Sequence, residues 1–197
     1  MSTWESLMEK TERDSYGQPM VDFHWEAPSL EGEGTLTFED GSKYKGSFKA
    51  GHLDGYGTLT WPDGSRYEGQ LREGLPHDLG TLQRADKHTY SGEWKQGIAE
   101  GEGAETLPDG GRYSGQWKNG LRNGYGEMNF AEGKKYNGEW QDDMQHGTGE
   151  LFLTDGSKYE GTWVENKMSG AGVLVFWDGK RYRGVWENEK FNGHFEV

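Results

Sequence analysis

Six histidines, His24, His52, His77, His88, His146 and His194, are the side chains of this sequence most suited to metal ligation or general-base work. His77 and His146 share a position in the repeat described below. They fall three repeats apart, roughly 30 Å at the spacing of paired strands, too far for one metal ion. The other four occupy unrelated positions. There are no cysteines, which excludes disulfides, zinc thiolates and cysteine nucleophiles. His-Glu-x-x-His, Gly-x-Ser-x-Gly and phosphate-loop patterns are missing, and the Gly-x-Gly steps lack the third glycine and following helix of a dinucleotide site. Acidic turns such as Asp63-Gly64 lack the spaced oxygen ligands of a calcium loop and read as turns. No catalysis, metal or cofactor is expected.

The remaining chemistry is aromatic. Tyrosines stand at Tyr44, Tyr67, Tyr90, Tyr113, Tyr136, Tyr159 and Tyr182, 23 residues apart without an insertion. Two residues after each comes Gly (Gly46 to Gly184), and two later a large apolar residue: Phe48, Leu71, Trp94, Trp117, Trp140, Trp163 and Trp186. This alternation is that of a strand with one apolar face. A second strand follows, opening on Gly-x-Gly (Gly55/Gly57, Gly124/Gly126) and carrying a Leu/Met column. Each unit closes on Asp-Gly or Glu-Gly, a tight-turn signal. The opposite parity is polar (Lys45, Ser47 and Lys49; Ser114, Gln116 and Lys118). In the copy from Tyr67 Asp78 and Lys87 replace glycines and Arg84 interrupts an apolar column, as Glu105 does in the copy from Tyr90.

Composition narrows the function. With 21 Lys+Arg against 34 Asp+Glu, the net charge of −13 argues against nucleic acid and disfavours an anionic membrane. Thirty-three glycines are too many for a helical bundle, whereas 14% aromatic residues set the chain apart from disordered ones. Without a long apolar run or signal-peptide pattern, a soluble cytoplasmic protein is expected.

The stretch from Tyr113 to Gly126, Tyr-Ser-Gly-Gln-Trp-Lys-Asn-Gly-Leu-Arg-Asn-Gly-Tyr-Gly, resembles the MORN (membrane occupation and recognition nexus) repeat, and the likeness recurs from Tyr44 to the C-terminus. The expected fold is all-β: an elongated, twisted antiparallel sheet of successive 23-residue hairpins. Residues 1–20 form an N-terminal extension, with a short capping or docking helix over about 2–12. The array covers 21–197: a degenerate first copy over 21–43, copies from 44, 67, 90, 113, 136 and 159, and a partial copy over 182–197.

The resemblance implies a non-catalytic interaction scaffold, cytoskeleton-associated, of the kind found in ciliary and flagellar axonemes. Its partner would be a protein helix or extended peptide. A one-layer sheet leaves its aromatic face uncovered, so a partner-binding groove is expected along Tyr90, Trp94, Tyr113, Trp117, Tyr136, Trp140, Tyr159 and Trp163. The alternative is a tether to membrane phosphoinositides, disfavoured by charge because cations such as Lys134 and Lys135 are interleaved with acids. A second contact surface is expected at Phe152, Val173, Val175 and Trp177, where the polar parity turns apolar. A C-terminal edge strand with Phe195 and Val197 is expected to pair with a second copy or a partner strand.

Overall fold

The computed structural model describes residues 31–187 and 190–196; the expected N-terminal helix and Val197 lie outside them. Among the described residues fifteen strands follow one another in a single antiparallel sheet, each hydrogen-bonded to the next in sequence order. The expected all-β hairpin fold is therefore present.

The chain divides into two compact units, one up to Gly103 and one from Ala104 onward. The first holds β1 (Gly32–Thr37), β2 (Lys43–Lys49), β3 (His52–Thr60), β4 (Arg66–Arg72), β5 (Leu75–Gln83), β6 (Thr89–Lys95) and most of β7 (Ile98–Thr106). The second holds β8 (Arg112–Lys118), β9 (Leu121–Asn129), β10 (Lys135–Gln141), β11 (Met144–Phe152), β12 (Lys158–Val164), β13 (Lys167–Val175), β14 (Arg181–Glu187) and β15 (Lys190–Glu196).

Two kinds of turn alternate. Within a repeat, the strands are joined by pairs with positive φ at both residues, such as Ala50 (49°) with Gly51 (82°) and Asp142 (49°) with Asp143 (67°). That geometry matches the twist of the strands it joins. Between repeats, an aspartate organises the reversal: Asp40 Oδ1 accepts from the Ser42 amide at 2.8 Å and Asp155 Oδ1 from Ser157 at 2.9 Å. The turn glycine adopts positive φ, 86° at Gly41 and 88° at Gly156. Lys87 takes this place at φ 72°, a left-handed conformation costing a side-chain-bearing residue about 1–2 kcal/mol. Asp78, in place of the first glycine of a Gly-x-Gly step, has φ 53° and belongs to a type that tolerates this region better.

A single device recurs in the core. From Tyr44 to Tyr159 each Tyr ring abuts the glycine that faces it on the next strand, and a Cβ there would penetrate the ring, as Gly57 would that of Tyr44 and Gly126 that of Tyr113; Gly193, facing the strand of Tyr182, instead meets Phe191. Past the glycine that follows Tyr the register shifts by two residues, after Gly46, Gly69 and Gly115 for example, whereas β14 and β15 pair without a shift. A bulge of this kind takes one carbonyl out of the ladder. The Tyr hydroxyl supplies the missing donor, bonding the carbonyls of Ser47 (2.8 Å), Gln70 (2.7 Å) and Gln116 (2.9 Å). Tyrosine at this place is thus both filler and cap for the bulge.

Candidate interaction surface

The eight residues expected to line an aromatic groove are buried, from Tyr136 at 0% exposure to Trp117 at 7%. In the second unit, Trp117, Tyr113, Trp140, Tyr136, Trp163, Tyr159 and Trp186 form a continuous edge-to-face row with ring centroids 5.0–5.4 Å apart. In the first, Tyr67, Trp94 and Tyr90 do the same at 5.8 and 4.9 Å. Indole N–H groups are spent internally: Trp140 donates to the Gly126 carbonyl at 3.3 Å and Trp163 to that of Gly149 at 3.3 Å. Arg122 lies over Trp140, 5.0 Å from the ring, and bonds Asp143 at 2.9 Å. A single layer covers its own aromatic face here because Tyr113, Tyr136 and Tyr159 are each flanked by two nearly perpendicular rings and seated against glycine. These side chains serve the fold, and the exposed fraction expected of them is not there. Burial pushes the phenols of Tyr44 and Tyr159 up to about 12 and raises those of Tyr67 and Tyr136 as well.

Exposed apolar surface lies elsewhere. Trp177 is 72% exposed, Val185 53%, Val164 42% and Phe152 37%. Of the residues expected to form a second surface, Phe152 on β11 and Val173 and Val175 on β13 share the outer face. Register sets the row Lys135, Phe152, Lys158, Val175, Arg181 across β10 to β14. A second row sets Val173 between Glu160 and Arg183, and Val185 faces Ala171. Trp177 sits in the β13–β14 turn, its Cβ 3.7 Å from where a Cβ on Gly156 would be. Several cations here are neutralised: Lys158 bonds Glu150 at 2.8 Å and Glu160 at 3.2 Å, and Lys135 bonds Glu127 at 2.8 Å. The bond to Glu150, reinforced by Glu160, holds the Lys158 pKa above the ordinary lysine value, and Lys135 lowers that of Glu127.

The sequence reading missed a further exposed column, the middle residue of Gly-x-Gly: Tyr56 (54%), Leu79 (66%) and Tyr125 (61%). Its signal was a large apolar residue before the second glycine of that step in the outward parity, with Asp78 in place of the first glycine before Leu79. Phe195 lies in β15 opposite Tyr182. Among the described residues β15 pairs with β14 alone. No group of three metal-ligating side chains, and no helix long and apolar enough to span a membrane, occurs among the described residues.

Among solved structures, the chain is similar to the TCP domain of Drosophila melanogaster SAS-4 (dCPAP), determined in complex with a proline-rich motif of Ana2 (dSTIL). The identity is 15%, over 86% of this chain and 98% of that one, with a TM-score of 0.44. It is also similar to the wild-type TCP10 domain of Danio rerio CPAP, at 12% identity over 94% of this chain and 91% of that one, TM-score 0.43. Both likenesses are loose, and neither says what this chain binds. A comparison with curated proteins finds no match. The MORN repeat description matches seven consecutive stretches, 30–43, 44–66, 67–89, 90–112, 113–135, 136–158 and 159–181. With the Tyr, Gly and Trp columns in the geometry above, the chain belongs to the MORN repeat family.

Proposed function

We propose that this chain is a non-catalytic protein-interaction scaffold whose partner seats on the outer face of β11–β14. The observation that carries this reading is the exposure of Phe152, Val185 and Trp177 on or beside a face whose equivalents in other copies are polar, while the aromatic columns are buried. Large apolar side chains grouped outside a core are the usual anchors of a protein contact, and Trp is the strongest. The cytoskeletal setting is proposed from the family resemblance alone. A lipid tether finds less support: it needs clustered cations, and Lys135 and Lys158 are each held by carboxylates.

The test is co-purification from native extract with the full chain and with a Phe152→Thr, Val175→Thr, Trp177→Ser variant, alongside thermal melting and flotation with anionic liposomes. The expected result is a defined partner lost from the variant, with a loss of about 2 kcal/mol or more at Trp177 once that partner is purified. Full retention by a folded variant, or flotation of the chain with liposomes, overturns the reading.

A further inference from the structure

The residue preceding each Tyr is cationic in six of seven copies: Lys43, Arg66, Arg112, Lys135, Lys158 and Arg181. Two residues on, the same outer face carries Lys45, Glu68, Ser91, Ser114, Asn137, Glu160 and Arg183. In the β4 copy, Glu68 takes up Arg66 as an ion pair and accepts from the Tyr56 hydroxyl at 2.7 Å. In the β12 copy, Glu160 takes up Lys158 at 3.2 Å. On β2 that acid is replaced by Lys45, so Lys43 and Lys45 stand side by side on the outer face. Neither has an ion-pair partner among the described residues.

Their neighbours are small hydroxyls. Lys43 lies between Thr37 and Thr60, and Lys45 between Thr35 and Thr58. Short side chains around two long cations leave an open depression of about 650 Å³ on this face, lined by both lysines, Arg66, Thr35, Thr58 and Thr60. Glu33, at its border, is held by the Ser47 hydroxyl at 2.5 Å. The depression therefore offers two ammonium groups and the hydroxyls of Thr35 and Thr58.

We infer that this depression binds an extended acidic peptide of a protein partner, with carboxylates at alternate positions. The match is one of spacing and charge. Residues i and i+2 of a strand project from one face about 7 Å apart, so Lys43 and Lys45 repeat at the interval at which an extended peptide presents every second side chain. The Thr35 and Thr58 hydroxyls meet the remaining carboxylate lone pairs as donors, that of Thr60 being spent on the Lys43 carbonyl at 3.3 Å. A bilayer is the weaker fit, because two unneutralised lysines fall short of the four to eight cations of a lipid-binding cluster and the chain carries net charge −13. This site is separate in residues from the face of β11–β14, so either can fail without the other.

The test uses the full chain and a fluorescein-labelled dodecapeptide alternating Glu and Thr, read by anisotropy at 50 and 500 mM salt. Controls are a peptide of equal composition with its glutamates in one block, and vesicles containing anionic lipid. Binding of the alternating peptide is expected to weaken about tenfold or more in the Lys43→Gln, Lys45→Gln variant and at high salt. The block peptide is expected to bind less well, and a Lys95→Gln, Lys118→Gln variant to behave as the unaltered chain. Melting curves show that the surface variants remain folded. Absence of binding at millimolar peptide, equal binding by the double variant, or lysine-dependent binding of vesicles without binding of peptide overturns the inference.

Discussion

In β2, Lys43 stands between Thr37 and Thr60 and Lys45 between Thr35 and Thr58; in β14, Arg181 stands between Val175 and Glu196 and Arg183 between Val173 and His194. The two strands share the same cationic spacing and differ in everything beside it. On the other face they are nearly alike: Tyr44 and Tyr182 in the ring column, Gly46 and Gly184 at the close approach, Phe48 and Trp186 in the edge-to-face column. The difference follows from what each face must do. On the ring-bearing face, Tyr and the glycine two residues later recur in all seven copies from Tyr44 to Tyr182, and the third column stays large and apolar. The outer face meets solvent, where exchanging Thr for Val costs a strand a fraction of a kcal/mol. Outer positions are therefore free to diverge, toward hydroxyls and ammonium groups on β1–β4 and toward valine, Phe152 and arginine on β11–β14.

The common ring-bearing face is most severely tested by alkali. Desolvation puts the phenols of Tyr44 and Tyr159 at about 12, above the value of about 10 in an unfolded chain. A raised folded pKa means the folded state keeps a proton that the unfolded state loses. Stability is thus intact below pH 10 and falls as pH rises from 10 through 12, by up to about 3 kcal/mol for each such phenol. Urea unfolding at pH 8, 10 and 11, with absorbance at 295 nm, is expected to show phenolate appearing together with unfolding. Free titration of core phenols in the folded chain would break the equivalence of the two regions.

A smaller effect is expected from the close approach itself. Gly57→Ala, beneath Tyr44, and Gly172→Ala, beneath Tyr159, each drive a methyl into a ring. Both are expected to cost about 2–3 kcal/mol by denaturant melting, the upper range for overpacking. A large inequality between them would show that one unit relaxes where the other does not.

The smallest effect sharpens the contrast of the outer faces. Val173→Thr with Val175→Thr, which gives β13 the threonines of β3, is expected to change stability by less than about 1 kcal/mol in thermal melts. A larger loss would mean that these valines support the fold and are not kept for contact.

The repeat, its hairpins and the single-sheet class were legible in the sequence because strand period, glycine placement and turn aspartates are local signals, and 23-residue copies in register reinforce one another. The turn at Lys87 was legible only as an irregularity, since the φ of 72° it must adopt is imposed by neighbouring strands. Tertiary structure decided the fate of the aromatic columns. Alternation places Tyr113, Trp117, Tyr136 and Trp140 on one face, but whether that face is wet depends on rings from successive repeats meeting edge-to-face over glycine. It decided equally that Glu68 and Glu160 neutralise the cations of their own copies while Lys43 and Lys45 stand without a partner among the described residues. Sequence determines which side of the sheet a residue takes, because parity is local. What that residue meets there is decided by register across strands, which no single repeat contains.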